Sequence, residues 1–62
     1  MEESYERVGV LVVRVWSERD AQIRARITSS TDILRAEPQV KAASTIEGIY
    51  AVIQEWFERF AE

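Results

Sequence analysis

Val8-Gly9-Val10-Leu11-Val12-Val13-Arg14-Val15-Trp16 decides the fold. The run is dense in β-branched and aromatic side chains, which fit a pleated, half-buried surface, and it reads as a strand. Alternation along a strand sends successive side chains to opposite faces. Leu11, Val13 and Val15 therefore share one face, and Val10, Val12, Arg14 and Trp16 share the other. Downstream, Ser17-Glu18-Arg19-Asp20-Ala21 is a polar connection of hairpin length. Gln22-Ile23-Arg24-Ala25-Arg26-Ile27-Thr28 then alternates polar and apolar with period two, the pattern of a half-buried strand. It sets Ile23, Ala25 and Ile27 inward and Gln22, Arg24, Arg26 and Thr28 outward.

Ser29 to Pro38 is harder to read. Ser29-Ser30-Thr31-Asp32 is turn chemistry, because these side chains bond nearby backbone groups, and Ile33 and Leu34 suit either a strand or a helical turn. Pro38 blocks any helix through it and holds Glu37 extended. Gln39 to Ala43 follows as a short third strand. Ser44-Thr45-Ile46-Glu47 has the spacing of a capping box, with Ser44 as the cap. Beyond it, Ile46, Ile49, Tyr50, Ile53, Trp56, Phe57 and Phe60 recur at three- and four-residue steps, the stripe of an amphipathic helix. Glu47, Gln54, Glu55, Glu58 and Arg59 hold the other side. Gly48 in the first turn implies close approach of another backbone.

The expectation is one α+β domain over residues 1–62: a two- or three-stranded antiparallel sheet, in β-β-β-α order, packed on one C-terminal amphipathic helix. The strands span about 8–16, 22–28 and 39–43 and the helix about 45–60. Residues 1–7 carry no element and are allowed to be flexible.

At 62 residues the chain has room for one core. Domains this small bury only about 60% of their unfolded surface and rely on disulfides, metals or association for support. Cysteine and histidine are both absent, which removes disulfides and the thiolate and imidazole metal ligands. Good packing and association with another chain remain. The composition, 47% hydrophobic and 31% charged, is that of a globular chain. The longest apolar run, Val10 to Val13 extended back through Gly9 to Val8, falls far short of the ~20 residues of a membrane helix. Met1-Glu2-Glu3-Ser4 lacks the basic start of a secretory signal, so the expected setting is a reducing cytoplasm, with no membrane contact. The net charge of −3 is unevenly spread. Arg14, Arg19, Arg24 and Arg26 outweigh Glu18 and Asp20 on the strands, whereas glutamates dominate the N-terminal segment and the helix.

A single helix covers one face of a small sheet, yet the first strand is apolar on both. A strand of that kind is expected where both faces are buried. Val10, Val12 and Trp16 left in water would form the kind of contiguous patch that marks an interface. Burying them is worth several kcal/mol at ~25 cal/mol per Å². The expectation is self-association through this face or through the edge of the sheet. The competing reading is that the N-terminal segment, with Tyr5, folds back over the face, or that Trp16 is simply a rim residue.

The catalytic inventory is thin. Lys41 is the sole lysine and reads as a solvated charge on a short strand rather than a Schiff-base former. Glu55 and Glu58 sit at the spacing of paired carboxylates but lie on a polar helix face with no means of raising a pKa. Gly9 and Gly48 stand alone, so there is no phosphate loop, and no EF-hand spacing is present. No cofactor and no enzymatic activity is expected. The suggestive constellation is Arg14, Arg24 and Arg26 beside Trp16, since arginine forks fit phosphate and an aromatic can stack on a base. An acidic protein with few such charges has a weak footprint for nucleic acid. The same residue types are enriched in protein interfaces, where arginines pair with a partner's acids. The interface residues read from the sequence are therefore Val10, Val12, Arg14, Trp16, Arg24 and Arg26.

The order of features, on Leu11-Val12-Val13-Arg14-Val15-Trp16, Gln22-Ile23-Arg24-Ala25-Arg26-Ile27 and Ser44-Thr45-Ile46-Glu47, resembles the small β-β-β-α domain of HicB-like antitoxins and of short uncharacterised prokaryotic proteins of similar pattern. The resemblance covers most of residues 8–60 as a pattern of strands and cap. The stretch from Ser29 to Pro38 departs from it, being longer and without the family's glycine, and the family's separate DNA-binding segment has no counterpart. It implies a fold and a tendency to oligomerise. The functional expectation is a non-enzymatic protein–protein interaction module acting as a homodimer or small oligomer, with another protein as a further partner. The alternative is a small nucleic-acid-binding or antitoxin-like regulator using a basic sheet face.

Overall fold

A computed structural model describes residues 6–62, and it contains β1 (Val10–Ser17), β2 (Ile23–Ser30), β3 (Gln39–Ala43) and α1 (Ile46–Phe60). The strands form one antiparallel sheet in the order β1-β2-β3, with the helix following as the last element. The fold is thus the β-β-β-α arrangement expected. Of the expectation for residues 1–7, and of Tyr5 folding back, residues 1–5 lie outside the described residues.

The β1–β2 hairpin closes through a tight loop. Ala21 N–H donates to Glu18 O at 2.9 Å, Glu18 N–H donates to Gln22 O at 2.8 Å, and Asp20 Oδ1 accepts from Gln22 N at 3.1 Å. Ala21 has φ of 65°, the left-handed conformation that completes such a turn. Both long strands run past their expected ends, because the register sets Val10 opposite Ser30 and Ser17 opposite Ile23. β1 also starts two residues later than expected. Val8 and Gly9 are diverted: Val8 O accepts from Ile33 N at 2.9 Å, and Gly9 passes beneath the rings of Trp56 and Phe60.

Residues 31–38 fold as a turn, which settles the alternatives at Ile33 and Leu34. Asp32 Oδ1 accepts from Leu34 N at 3.0 Å, and Asp32 O accepts from Ala36 N at 2.8 Å. The buried Ser30 hydroxyl accepts from Asp32 N and is within donating distance of Asp32 O and Ala36 O. Turn-forming side chains here satisfy backbone groups that the sheet no longer pairs.

The helix cap falls one residue later than the capping-box reading. Thr45 is the cap, extended at φ −138° and ψ 159°, and its Oγ1 accepts from Gly48 N at 3.0 Å. The third helical position is therefore Gly48 and not Glu47, so the reciprocal glutamate arm is missing. Glu47 still lies in the first turn, where it complements the helix dipole. A Cβ on Gly48 would stand 3.2 Å from Thr45 Oγ1 and 3.3 Å from Ala43 Cβ, so the glycine is crowded by two side chains and not by the second backbone expected.

The helix lies over β2 and β3. Glu55 pairs with Lys41 at 3.2 Å and Arg59 reaches Gln39 at 3.3 Å, both on β3. At its C-terminal end, Phe60 and Trp56 close over Gly9, and the Arg7 guanidinium stands 4.5 Å from the Phe60 ring centre and donates to the Phe60 carbonyl. Residues 7–9 thus run on the helix side of the sheet.

The core is very small. Ala25, at 2% exposure, and Ile27, at 1%, are the buried apolar side chains among the described residues, and the helix contributes none. Leu11 and Val13 are half-buried. Val15 and Ile23, both expected inward, are 53% and 51% exposed, because they lie where the helix does not reach.

Candidate functional site

The face of the sheet turned away from the helix assembles every interface residue read from the sequence. Alternation and register place Val10, Val12, Arg14 and Trp16 of β1 beside Arg24 and Arg26 of β2, with Val40 and Ala42 of β3 beyond. Trp16 stands opposite Arg24, and Arg14 stands opposite Arg26. Directly opposed like charges on a sheet are destabilising. The contacts that relieve them are weak. Arg14 lies 5.3 Å from the Trp16 ring centre and Arg24 Nη1 donates to Gln22 Oε1 at 3.0 Å. Trp16 is half-buried, and its Nε1 donates to Glu18 Oε2 at 2.8 Å. None of the three arginines meets a carboxylate among the described residues. Val12 and Val40 are exposed. An open cleft of about 320 Å³ runs along Trp16, Arg24, Arg26 and Ala42. Guanidinium groups, a ring face and bare valines make this a surface suited to binding an anionic, partly apolar partner.

A second uncovered region, on the helix side, was not legible in the sequence. The apolar stripe of α1 is split. Ile49, Val52, Ile53, Trp56 and Phe60 are half-buried, whereas Ile46, Tyr50 and Phe57 are exposed, Tyr50 at 62% and Phe57 at 59%. At 100° per residue the exposed three lie on the flank opposite Glu55 and Arg59. Those two touch β3, so the Ile46–Tyr50–Phe57 ridge leans toward the β1 side. Beside that ridge, β1 presents Leu11, Val13 and Val15. The sequence carried no signal for it: Trp56 and Tyr50 are about a third of a turn apart around the helix, an ordinary width for a core-facing apolar stripe.

Other candidate chemistry disperses. Lys41 faces the helix, opposite Ile27, and pairs with Glu55, both side chains about half exposed. Glu58 accepts from Gln54 Nε2 at 3.2 Å, so Glu55 and Glu58 serve different partners. A shallow cleft of about 270 Å³ lies between the 31–38 turn and the helix end, lined by Ser29, Thr31, Pro38, Gln39, Trp56 and Arg59. Trp56 Nε1 is buried without an acceptor among the described residues, while its ring stacks on Phe60 at 5.2 Å and 14°. Among the described residues no group of three or more acidic side chains is arranged to hold a metal ion, and no helix is long and apolar enough to cross a membrane. Comparison of the chain with protein-family models, with curated proteins and with solved structures finds no match in any of the three.

Proposed function

We propose that this chain is a non-enzymatic interaction module that works as a homodimer or small oligomer and presents its basic sheet face to another protein. The observation that carries the reading is the core: among the described residues two buried apolar side chains, Ala25 and Ile27, set against large apolar groups exposed on both sides of one sheet. A folded domain of this length needs more burial than that, since conformational entropy costs of order 1–2 kcal/mol per residue. Association supplies it. The absence of histidine and cysteine and the dispersal of Lys41, Glu55 and Glu58 support a role without catalysis. Sedimentation velocity on the full chain across the micromolar range is the test. The expected result is a dimer or higher species that loses helical signal on dilution; a stable, folded monomer overturns the reading.

A second reading has its own observation. Arg14 directly opposite Arg26, with Arg24 and Trp16 adjacent and none of the three arginines paired to a carboxylate among the described residues, suits a polyanion. Such a surface would bind nucleic acid with an affinity that falls steeply with salt. If Arg24→Gln with Arg26→Gln left that binding and its salt slope unchanged, this second reading would be lost.

A further inference from the structure

We infer that the helix-side groove along β1 is where a second copy of this chain docks, through antiparallel pairing of β1 with the partner's β1. The inference rests on the self-association proposed above and adds the surface and the register.

Three uncovered features meet at one place. Among the described residues β1 pairs with β2 alone, which makes it an eight-residue sheet edge. Edge strands of that length are normally blunted by charge, proline or a bulge. Here Arg14 is the single charge and there is no proline. The helix-facing side chains of the same strand are only partly covered, with Val15 more than half exposed. Alongside stands the Ile46–Tyr50–Phe57 ridge of α1.

The region holds both a ridge and a trough, and that makes it self-complementary, as a two-fold interface requires. Pairing β1 with its copy, about 4.8 Å away, brings the partner's helix onto the same side of the joined sheet. The aromatic ridges of the two helices then approach each other above the two β1 strands. One contact covers the edge, the strip and the ridge together. The two exposed rings alone offer on the order of 250 Å² per copy, at about 150–250 Å² per full ring. With Val15, Ile46 and the strand backbone, the uncovered area on the two copies together is of the order of the ~1,000 Å² expected of a specific interface. The occupant must also be present whenever the chain folds, because the core is too small without it, and a second copy always is.

Pairing that keeps inward side chains inward allows few alignments. Centring on Arg14 would oppose two arginines, which is unfavourable. Centring on Val13 pairs residues 10–16 and places Val12 against the partner's Arg14 and Leu11 against the partner's Val15.

The test uses the full chain. Tyr50→Lys with Phe57→Lys is expected to weaken dimerisation at least 100-fold, read by sedimentation or by the concentration dependence of the melt. Val40→Lys, on the opposite face and on β3 away from the paired edge, is expected to change it less than threefold. Because the groove variant could unfold on dissociation, Val13→Cys gives an independent readout. The natural chain has no cysteine, and directly opposed strand residues meet disulfide geometry. Mild oxidation is expected to give a covalent dimer from Val13→Cys and none from Val40→Cys. A dimer that is sensitive to the opposite-face variant, or cross-linked at Val40 and not at Val13, overturns the inference and leaves the self-association reading standing. A wild-type chain that is a folded monomer at every concentration ends both.

Discussion

Replacing Gly9 with alanine tests how the start of β1 is held. A Cβ built there would stand 2.8 Å from Phe60 Cε1, 2.8 Å from Trp56 Cζ2 and 2.9 Å from Phe60 Cδ1. Carbon atoms pack at about 3.5–4.0 Å, so one methyl group would overlap two rings by more than half an ångström each. The rings cannot yield independently. Trp56 and Phe60 stack on each other, Trp56 also meets Phe57 edge-on at 5.0 Å, and the Arg7 guanidinium lies on Phe60. Overpacking of this kind costs about 1–3 kcal/mol. Alanine recovers about 0.4–1 kcal/mol by restricting the unfolded chain. The expected net effect of Gly9→Ala is a loss of about 1–2 kcal/mol, measured by urea denaturation followed by circular dichroism at fixed protein concentration. Phe60→Ala by itself removes packing and also destabilises. In the Phe60→Ala background, however, Gly9→Ala should cost less, because only the Trp56 approach is left and that ring has lost its stacking partner, giving a coupling of about 1 kcal/mol in the double-mutant cycle. A neutral or stabilising single substitution, or an additive cycle, would show that Gly9 is not pressed beneath these rings.

Other expectations concern the turn, the cap and the core. Ala21→Gly should stabilise the protein by about 0.5–1 kcal/mol, because it relieves a left-handed residue that costs roughly 1–2 kcal/mol with a Cβ and gives back part in chain entropy; no rise in the denaturation midpoint would contradict this. Thr45→Ala should cost about 1 kcal/mol and lower helix content, whereas Ser44→Ala should cost only a few tenths, since Thr45 holds the Gly48 N–H; the reverse order would restore the capping box at Ser44. Ile27→Ala should cost 2–5 kcal/mol, a loss that a core of two buried apolar side chains does not survive at micromolar concentration, read as loss of the cooperative melt.

The long strands and the helix were legible because each rests on local periodicity that packing did not contradict. β3 came out at Gln39 to Ala43 as expected. The ends of β1 and β2 were off by one or two residues for a non-local reason: strand ends follow the partner strand's register and, at Val8 and Gly9, the pull of the helix end and the 31–38 turn. The cap moved to Thr45 because Ser44 and Thr45 are chemically equivalent candidates. The choice between them depends on where β3 releases the chain.

By itself the sequence determined which side chains share a face, since alternation along a strand and the 100° step of a helix are properties of the local backbone. That is enough to put Val10, Val12, Arg14, Trp16, Arg24 and Arg26 together. Only the tertiary structure decided where the single helix would lie, and so which apolar groups would stay wet. Its seat over β2 and β3 leaves β1 open on its outer edge and divides one apolar stripe into a half-buried part and an exposed ridge of Ile46, Tyr50 and Phe57. Lateral position on a sheet depends on contacts between distant residues, the Lys41–Glu55 pair and the Gly9 passage beneath Phe60 among them, and no local pattern encodes it.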